Sequence, residues 1–410
     1  MMQRLRTLYI VLPILLAAGI STGARAAAEE TKPAPQPPVA AREAVAPAKP
    51  GQADTAGHKD PAKLINKNSH CIECHQDDTP AIFEQWLSST HARVGVGCAD
   101  CHGANKGETG AFLHAGKFYI TTIVTPVDCA KCHKSQYLDY QTSGHALALE
   151  LLQEMKEDNP RSPVVSLYKD DNFQQCRGCH GGTVTVDGEN LPDPATWPDN
   201  GAGRVNPNTS RGNCSACHLG HGFSAAAARQ PETCLRCHDG ANYPEGDIYR
   251  ASVHGVLYET TADKENLSRP GFYFDGSHMG SPTCAFCHLN GSGQGLLTRH
   301  NPAWNLPRDL TSPGAPLANR SENLRSNMKA ACNQCHAPGV IDRFFTNADK
   351  DLELYQQNTV EPRLADYRQK LAKASGEERG SLLKEYAQFL AEAKRYRMNL
   401  YMGQHGRSQR

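Results

Sequence analysis

The sequence lacks the side chains that a conventional hydrophobic core requires. Hydrophobic residues make up only 39% of the 410 positions, whereas there are 35 glycines and 26 prolines. The sequence also lacks an excess of either charge, because 43 basic residues balance 43 acidic ones. Nothing in this balance suggests binding to nucleic acid. Beyond residue 26 no apolar run is long enough to cross a bilayer. We therefore expect a core that is not built mainly from layers of side chains.

No cysteine is available for a disulfide bond or for nucleophilic chemistry. All 16 cysteines belong to eight copies of the motif C-x-x-C-H. One C-x-x-C pair is typical of a zinc knuckle or a redox dithiol, but eight pairs, each followed by histidine, indicate covalent attachment of eight haem c groups. The flat apolar faces of these haems would replace side-chain layers in a haem-packed core. The haem-attaching pairs are Cys71/Cys74, Cys98/Cys101, Cys129/Cys132, Cys176/Cys179, Cys214/Cys217, Cys234/Cys237, Cys284/Cys287 and Cys332/Cys335.

The histidine of each motif is the proximal axial ligand of its iron. An electron-transfer haem usually takes a second histidine, whereas a haem that performs chemistry keeps its distal position open. The proximal ligands are His75, His102, His133, His180, His218, His238, His288 and His336.

Ten further histidines are the candidates for distal ligation. His58 and His405 lie outside the haem region, and His70 is a weak candidate because it adjoins Cys71. The count is compatible with one open haem and equally with none. Most of the remaining histidines adjoin small residues near a predicted helix end, which suits a side chain reaching over a haem face. The distal candidates are His91, His114, His145, His221, His254, His278 and His300.

The chain divides into four predicted regions. Residues 1–26 read as a signal peptide with a basic start, an apolar segment and an Ala-Arg-Ala cleavage site, so we expect export to the periplasm. Residues 27–60 are an Ala/Pro-rich linker with the composition of a disordered tether. Residues 61–345 hold the octahaem domain, and residues 346–410 form a helical oligomerisation region.

Local patterns predict mainly helical structure with many loops. Helices are expected around residues 82–91, 137–156 and 226–237, and the Gly-, Pro- and Asn-rich segments 181–213 and 290–323 are expected to be loops. The close spacing of Cys214 and Cys234 predicts that the fifth and sixth haems are neighbours. Near the C-terminus, two long helices flank Ser375-Gly376. The second carries two interleaved heptad series, which suit packing either on a partner subunit or on its own domain: Leu382, Phe389 and Tyr396, and Tyr386, Ala393 and Leu400.

The order of several landmarks resembles that of the octahaem hydroxylamine oxidoreductase family over residues 68–402. The resemblance implies a mainly helical multihaem fold and a homotrimer held partly by C-terminal helices. It also implies that the fourth haem is open and catalytic, with His180 as its proximal ligand. The landmarks are WLSSTHA at 86–92, TIVTP at 122–126, CRGCHGG at 176–182, GNC at 212–214, HGFS at 221–224, IYRASVHG at 248–255, PTC at 282–284 and NMK at 327–329.

Two departures from the family pattern concern catalysis. An Asp-His pair that the family places over the catalytic haem corresponds here to Asn242 and Tyr243, and a phenol is a poor general base near neutral pH. Members that oxidise hydroxylamine also cross-link a C-terminal tyrosine of a neighbouring subunit to the catalytic haem, and the sequence has no tyrosine after Tyr401. The candidate catalytic residues are His180, Asn242 and Tyr243.

Three functions follow from the resemblance. The first is reduction of nitrite or hydroxylamine to ammonium at an open fourth haem, with the other haems relaying electrons from a membrane or soluble cytochrome partner. The second is oxidation of hydroxylamine, with Tyr401 as the cross-linking residue. The third is electron transfer by a catalytically silent subunit.

Overall fold

Short helices joined by long loops build the described part of the chain. The structure is a computed structural model that describes residues 69–240, 243–262, 266–272, 280–306 and 322–401. All of these residues belong to one unit, Gly57–Arg410. The predicted signal peptide and linker, Asn242 and His278 lie outside the described residues.

Several C-x-x-C-H motifs fold as single helical turns. Residues three apart lie on the same side of a helix, so this conformation turns both thiols of a motif and the following imidazole toward one side. The clearest cases are Cys98–His102, Arg177–His180 and Cys284–His288. A haem-binding unit therefore needs only one turn of helix, which explains how a chain rich in glycine and proline can hold many of them.

The first half of the described chain contains nine short helices and one hairpin. In the hairpin, β1 (Phe112–His114) pairs antiparallel with β2 (Phe118–Ile120), with Leu113 opposite Tyr119. The helices are α1 (Ser69–Asp78), α2 (Pro80–Ser88), α3 (Thr90–Val94), α4 (Cys98–His102), α5 (Pro126–Ala130), α6 (Lys134–Gln141), α7 (Ala148–Gln153), α8 (Ser162–Val165) and α9 (Arg177–His180).

The second half contains further short helices and then four longer ones. Between α16 and α17 the segment Gln356–Val360 forms a π-helical turn. The helices are α10 (Ala225–Arg229), α11 (Pro231–Leu235), α12 (Glu245–Ala251), α13 (Val253–Thr261), α14 (Cys284–His288), α15 (Glu322–Cys332), α16 (Pro338–Tyr355), α17 (Glu361–Lys373) and α18 (Gly376–Tyr401).

The predicted helices exist but are interrupted. The segment 82–91 breaks at Ser89, which has extended backbone and caps α3. The segment 137–156 divides into α6 and α7, and 226–237 breaks at Gln230, where Pro231 begins a new helix. Continuous helices were the wrong expectation, because capping serines and prolines stop each one after one or two turns. The segment 181–213 is a loop, as predicted, with isolated bridges such as Thr183 to Val205.

The predicted C-terminal helices are confirmed as α17 and α18, and Gly376 adopts a φ of +54° at the start of α18. Most of the heptad stripe is buried within the chain itself: Tyr386, Phe389 and Ala393 pack against α17. Tyr396 is 43% exposed. The structure thus shows α18 packing on its own domain, and the role of residues 346–410 in oligomerisation stays a prediction.

Hydrophobic side chains form several small clusters rather than one core. One joins α17 and α18, a second joins α15, α16 and the end of α18, and smaller ones lie near the first, sixth and seventh motifs. This agrees with the expectation that cofactors supply much of the apolar interior. Within the described ranges, no helix has the length and apolar character needed to cross a membrane.

Replacing Phe389 tests whether α18 is part of the domain core. Phe389 is 1% exposed, so Phe389→Ala should lower the free energy of unfolding by about 3–5 kcal/mol through loss of buried contacts. The exposed neighbour Glu385 provides the control, since Glu385→Ala should change it by less than about 0.5 kcal/mol. Denaturant unfolding of the holoprotein measures both. Equal stability of the two variants would show that α18 is not integral to the fold.

Candidate haem centres

Five proximal histidines each face a predicted distal histidine across a gap of nearly constant width. The ring centres lie 5.9–6.1 Å apart in every case, although the segments involved are distant in sequence. The pairs are His75 with His114, His133 with His91, His102 with His221, His238 with His145, and His336 with His254.

This spacing fits a haem iron held between two imidazoles. Two nitrogens each about 2.0–2.1 Å from one metal, on opposite sides of it, place their ring centres roughly 6 Å apart. Direct packing of two imidazoles does not require this separation, and it recurs at five pairs whose interplanar angles range from 21° to 72°. The residues present therefore fit bis-histidine c-type haem.

Three of these distal histidines share one local element. Each follows a buried serine by two residues, and the serine hydroxyl accepts a hydrogen bond from the backbone amide three residues on. These bonds are Ala92 N to Ser89 Oγ (3.1 Å), Ala146 N to Ser143 Oγ (3.2 Å) and Gly255 N to Ser252 Oγ (3.1 Å). The element S-x-H-[A/G] thus presents a histidine in the first turn after a cap, not at a helix end as the sequence suggested.

Two of the remaining distal candidates, His300 and His70, lie in the described part of the chain. His300 lies within electrostatic range of His218. Asp139 accepts a hydrogen bond from the backbone amide of His300. His300 is therefore the candidate distal partner of the fifth motif. His70 is exposed and contacts Phe118. Among the described residues, no histidine ring faces His180, His218 or His288 at the spacing of the five pairs.

The thiols of different motifs adjoin one another and reveal the order of the centres in space. Thiols of the first and second motifs, and of the third and fifth, lie within hydrogen-bond distance of each other. Those of the second and third motifs lie within electrostatic range, as do those of the fifth and sixth, in agreement with the predicted proximity of the fifth and sixth haems. The series continues to the seventh and eighth, and the fourth joins at the sixth. The neighbouring thiols are Cys71/Cys98, Cys101/Cys129, Cys129/Cys214, Cys217/Cys234, Cys234/Cys284, Cys287/Cys332 and Cys179/Cys237.

The protein chain does not cover every cysteine of the motifs. Cys74 and Cys132 are exposed. In α1, Ile72 is the buried residue, and Cys74 follows it by two positions, which places it on the opposite side of the helix. Cys132 lies in the short turn between α5 and α6. Four of the second thiols share this exposure: Cys74, Cys132, Cys217 and Cys335.

A buried carboxylate fixes the backbone around the fourth motif. Asp199 Oδ2 accepts hydrogen bonds from Arg177 Nε (2.8 Å) and from the Gly182 amide (2.8 Å), and its Oδ1 accepts one from Gly201 (2.9 Å). The His180 Nδ1 lies 3.1 Å from the Ala148 carbonyl. This backbone acceptor fixes the ring orientation and directs Nε2 toward the metal.

Charged and polar side chains gather beside His180. Arg161 lies within electrostatic range of both His180 and Tyr243, and Tyr243 also lies near the thiols of Cys176 and Cys179. Although Tyr243 is 37% exposed, desolvation of its hydroxyl by the surrounding protein raises its pKa. The phenol therefore stays protonated near neutral pH and can donate a hydrogen bond.

Helix α18 places a second cation near the same site. Lys394 Nζ lies 4.7 Å from the centre of the Tyr243 ring and 2.9 Å from Glu245 Oε1. Burial alone would raise the pKa of Glu245, but its contacts with His238 and Lys394 outweigh burial and lower it to about 2. The Tyr386 hydroxyl also donates to the Pro160 carbonyl (2.7 Å), so α18 holds the segment that carries Arg161.

The structure brings two predicted catalytic residues, His180 and Tyr243, to one place. It adds four that sequence reasoning missed: Arg161, Asp199, Glu245 and Lys394. They lie far from one another in the chain and outside any motif. The one available signal was the turn-forming segment Pro198–Gly201 after the fourth motif, which contains Asp199.

Two models of cytochrome families match the sequence. The model described as "Seven times multi-haem cytochrome CxxCH" matches residues 202–361, and the model for cytochrome c554 and c-prime matches residues 38–103 and 128–219. The chain is a multihaem cytochrome. Its C-x-x-C-H motifs are therefore sites of covalently bound c-type haem.

The multihaem cytochrome is similar to two curated proteins over about half of its length. It is 25% identical over 260 residues to a probable nitrite reductase-hydroxylamine oxidoreductase fusion protein of Kuenenia stuttgartiensis, covering 53% of this chain and 25% of that protein. It is 27% identical over 226 residues to the multiheme cytochrome MtrA of Shewanella baltica (strain OS185), covering 47% of this chain and 63% of MtrA. The match thus spans less than two thirds of each relative.

Two solved structures were compared with this multihaem cytochrome, and one of them shares its fold. A hypothetical multiheme protein superposes with a TM-score of 0.70 at 22% identity, over 86% of this chain and 94% of its own. A reducing HAO-like protein complex of Kuenenia stuttgartiensis gives a TM-score of 0.49 at 18% identity, over 85% of this chain and 73% of that one. The first establishes a helical, haem-packed cytochrome fold; the second is too distant to support an argument.

Close backbone packing behind the fourth motif can be tested with Gly201→Ala. A Cβ at Gly201 would lie 2.1 Å from Gly181 N, so the two backbone segments would have to separate. We expect a loss of about 1–3 kcal/mol in stability, together with a changed absorption spectrum of the adjacent haem. Gly188→Ala in the same loop meets no atom within 4 Å and should leave both unchanged. Identical behaviour of the two variants would contradict the packing.

Proposed function

We propose that this multihaem cytochrome is an exported octahaem reductase that converts nitrite or hydroxylamine to ammonium at the haem of the fourth motif. The observation that carries the proposal is the surroundings of His180: no described histidine ring opposes it at the spacing of the five pairs, and Arg161 lies within electrostatic range of both His180 and Tyr243. Bis-histidine centres have no free axial position, so chemistry requires a centre of this kind.

Charge near the fourth motif supports an anionic substrate. Nitrite is an anion, and Arg161 supplies positive charge near His180, while the charge of Lys394 is paired with Glu245. A haem held by Cys176, Cys179 and His180 would supply the redox chemistry for reduction of a small nitrogen compound. Tyr243 is placed to donate a hydrogen bond to a bound oxygen, and Arg161 to attract and orient the anion.

The contacts between motifs support an electron route to this site. Electrons from a soluble or membrane-bound cytochrome partner would pass along the series of neighbouring centres and reach the fourth through the sixth, because Cys237 adjoins Cys179. The printed name of the Kuenenia stuttgartiensis relative includes nitrite reductase and hydroxylamine oxidoreductase, which agrees with small nitrogen compounds as substrates.

Hydroxylamine oxidation is less well supported. In this structure Tyr401 is buried at 7% exposure among side chains of α15 and α16, and its hydroxyl donates to Asp349. A cross-link to a neighbouring subunit's haem would require Tyr401 to leave this cluster. Homotrimer formation remains a prediction of the resemblance.

Pure electron transfer is the second candidate function. The unbroken series of motif contacts would suit a conducting chain, and the name of the Shewanella baltica relative, multiheme cytochrome MtrA, agrees with such a role. The two candidates differ in whether the fourth haem is open.

The spin state of the oxidised holoprotein decides between them. We expect EPR to show one high-spin component beside the low-spin bis-histidine signals, and we expect nitrite reduction with a viologen donor. If His278 is the distal ligand of the seventh haem, His278→Ala should add a second high-spin component. A wild-type spectrum with low-spin signals alone would overturn the reductase and favour electron transfer.

Charge recognition of nitrite can be tested with Arg161→Gln. A hydrogen bond to a charged group contributes about 1.5–3 kcal/mol, so the KM for nitrite should rise roughly tenfold or more. The KM for hydroxylamine, which is uncharged near neutral pH, should change little. Arg343→Gln, on the exposed face of α16, controls for the loss of one positive charge. Equal effects on both substrates would contradict a role for Arg161 in selecting anions.

A further inference from the structure

The ring of His238 faces a different kind of group from the rings of three other proximal histidines. His75 Nδ1 lies 3.1 Å from the Thr79 hydroxyl, and His102 and His180 lie 2.8 and 3.1 Å from backbone carbonyls. These acceptors are neutral. His238 Nδ1, in the sixth motif, instead lies 3.5 Å from Glu245 Oε1, a carboxylate oxygen.

The carboxylate is held in an ion pair inside the protein. Lys394 Nζ lies 2.9 Å from the same oxygen, and the two side chains are 4% and 16% exposed for Lys394 and Glu245. The second oxygen, Glu245 Oε2, is buried and accepts no hydrogen bond from any described residue. The negative charge of Glu245 therefore lies beside the His238 imidazole, and the positive charge of Lys394 on α18 partly compensates it.

A charge at this position acts on the iron through its ligand. A carboxylate that faces the Nδ1–H makes the imidazole a stronger donor and favours the ferric over the ferrous iron. Lys394 opposes this effect, because its positive charge compensates that of the carboxylate. The two residues should therefore shift the reduction potential of the same centre in opposite directions.

We propose that Glu245 is a positioning residue that lowers the reduction potential of the haem bound by the sixth motif, and that Lys394 sets the size of this effect. The sixth motif adjoins the fifth, the seventh and the fourth through neighbouring thiols. A low potential at this junction favours onward transfer of electrons to the fourth centre; this consequence rests on the proposed function, whereas the potential itself does not.

Redox titration of the full-length holoprotein, followed by absorption and EPR, tests the proposal. Glu245→Gln removes the charge and should move one component of the titration to higher potential. Lys394→Gln leaves the carboxylate uncompensated and should move the same component to lower potential. Glu245→Asp retains a carboxylate and should move that component less than Glu245→Gln does.

Two further variants identify the centre and control for charge. His145→Met replaces the distal ligand of the sixth haem and should raise the potential of the component that belongs to it. Asp247→Asn removes an acidic charge from the same helix, but Asp247 is 51% exposed and pairs with Arg395, so its titration should match wild type.

The proposal is overturned if Glu245→Gln leaves every component in place, moves a component other than the one marked by His145→Met, or shifts all components together as a loosened fold would. It is also overturned if Lys394→Gln shifts the component upward. Because the measurement is a potential, absence of nitrite reduction would refute the proposed function and leave this result intact. The converse result, nitrite reduction without any shift in potential, would refute this inference alone.

Discussion

The constant separation of paired imidazoles, which fits coordination of one iron between them, is the constraint on which the rest of the structure depends. The spacing of about 6 Å between ring centres recurs at five pairs that join separate segments. His102 on α4 faces His221 in a loop beyond the fourth and fifth motifs, and His75 on α1 faces His114 on β1. Each such pair closes a loop of the chain, as a disulfide or a metal site does. The hydrophobic clusters can be small because the paired histidines, together with the haem faces expected between them, would supply much of the stability that a side-chain core provides in other proteins.

The sequence predicted features that depend on short-range pattern. The C-x-x-C-H spacing identifies haem attachment because two thiols and an imidazole must lie on one side of a helical turn. The proximity of the fifth and sixth motifs followed from their separation along the chain, and the C-terminal helices followed from the heptad stripe. The stripe itself could not distinguish a partner subunit from the protein's own α17, since both present apolar side chains with the same period.

Features that depend on contacts between distant segments were missed. Arg161, Glu245 and Lys394 have no recognisable local signature, and Asp199 has only the turn-forming segment around it. Each acquires its role from a partner elsewhere in the chain, such as Lys394 from Glu245 and Asp199 from Arg177. The sequence named the distal candidates, and five of them face a proximal histidine, but it did not pair each candidate with its motif. Afterwards, a local rule becomes visible at His91, His145 and His254, where a buried serine two residues earlier fixes the ring at the start of a turn. His114, His221 and His300 follow other local geometries, so the serine rule alone would have found only half of these six.

Helix α18 connects the C-terminal region to the chemistry proposed at the fourth motif. Its buried face joins the hydrophobic cluster with α17, its Tyr386 hydroxyl holds the Pro160 carbonyl beside Arg161, and its Lys394 reaches both Tyr243 and Glu245. An apolar stripe that stabilises the helix thus also fixes the position of two cations. Removing a lysine from water is costly, and Glu245 offsets this cost by ion pairing. Since the same carboxylate faces His238, the ion pair that keeps Lys394 near the fourth centre also places a negative charge next to the sixth. In the proposed function, the electrostatics of substrate binding and of electron delivery are therefore coupled through one side chain, Glu245, and a change at Glu245 would alter both.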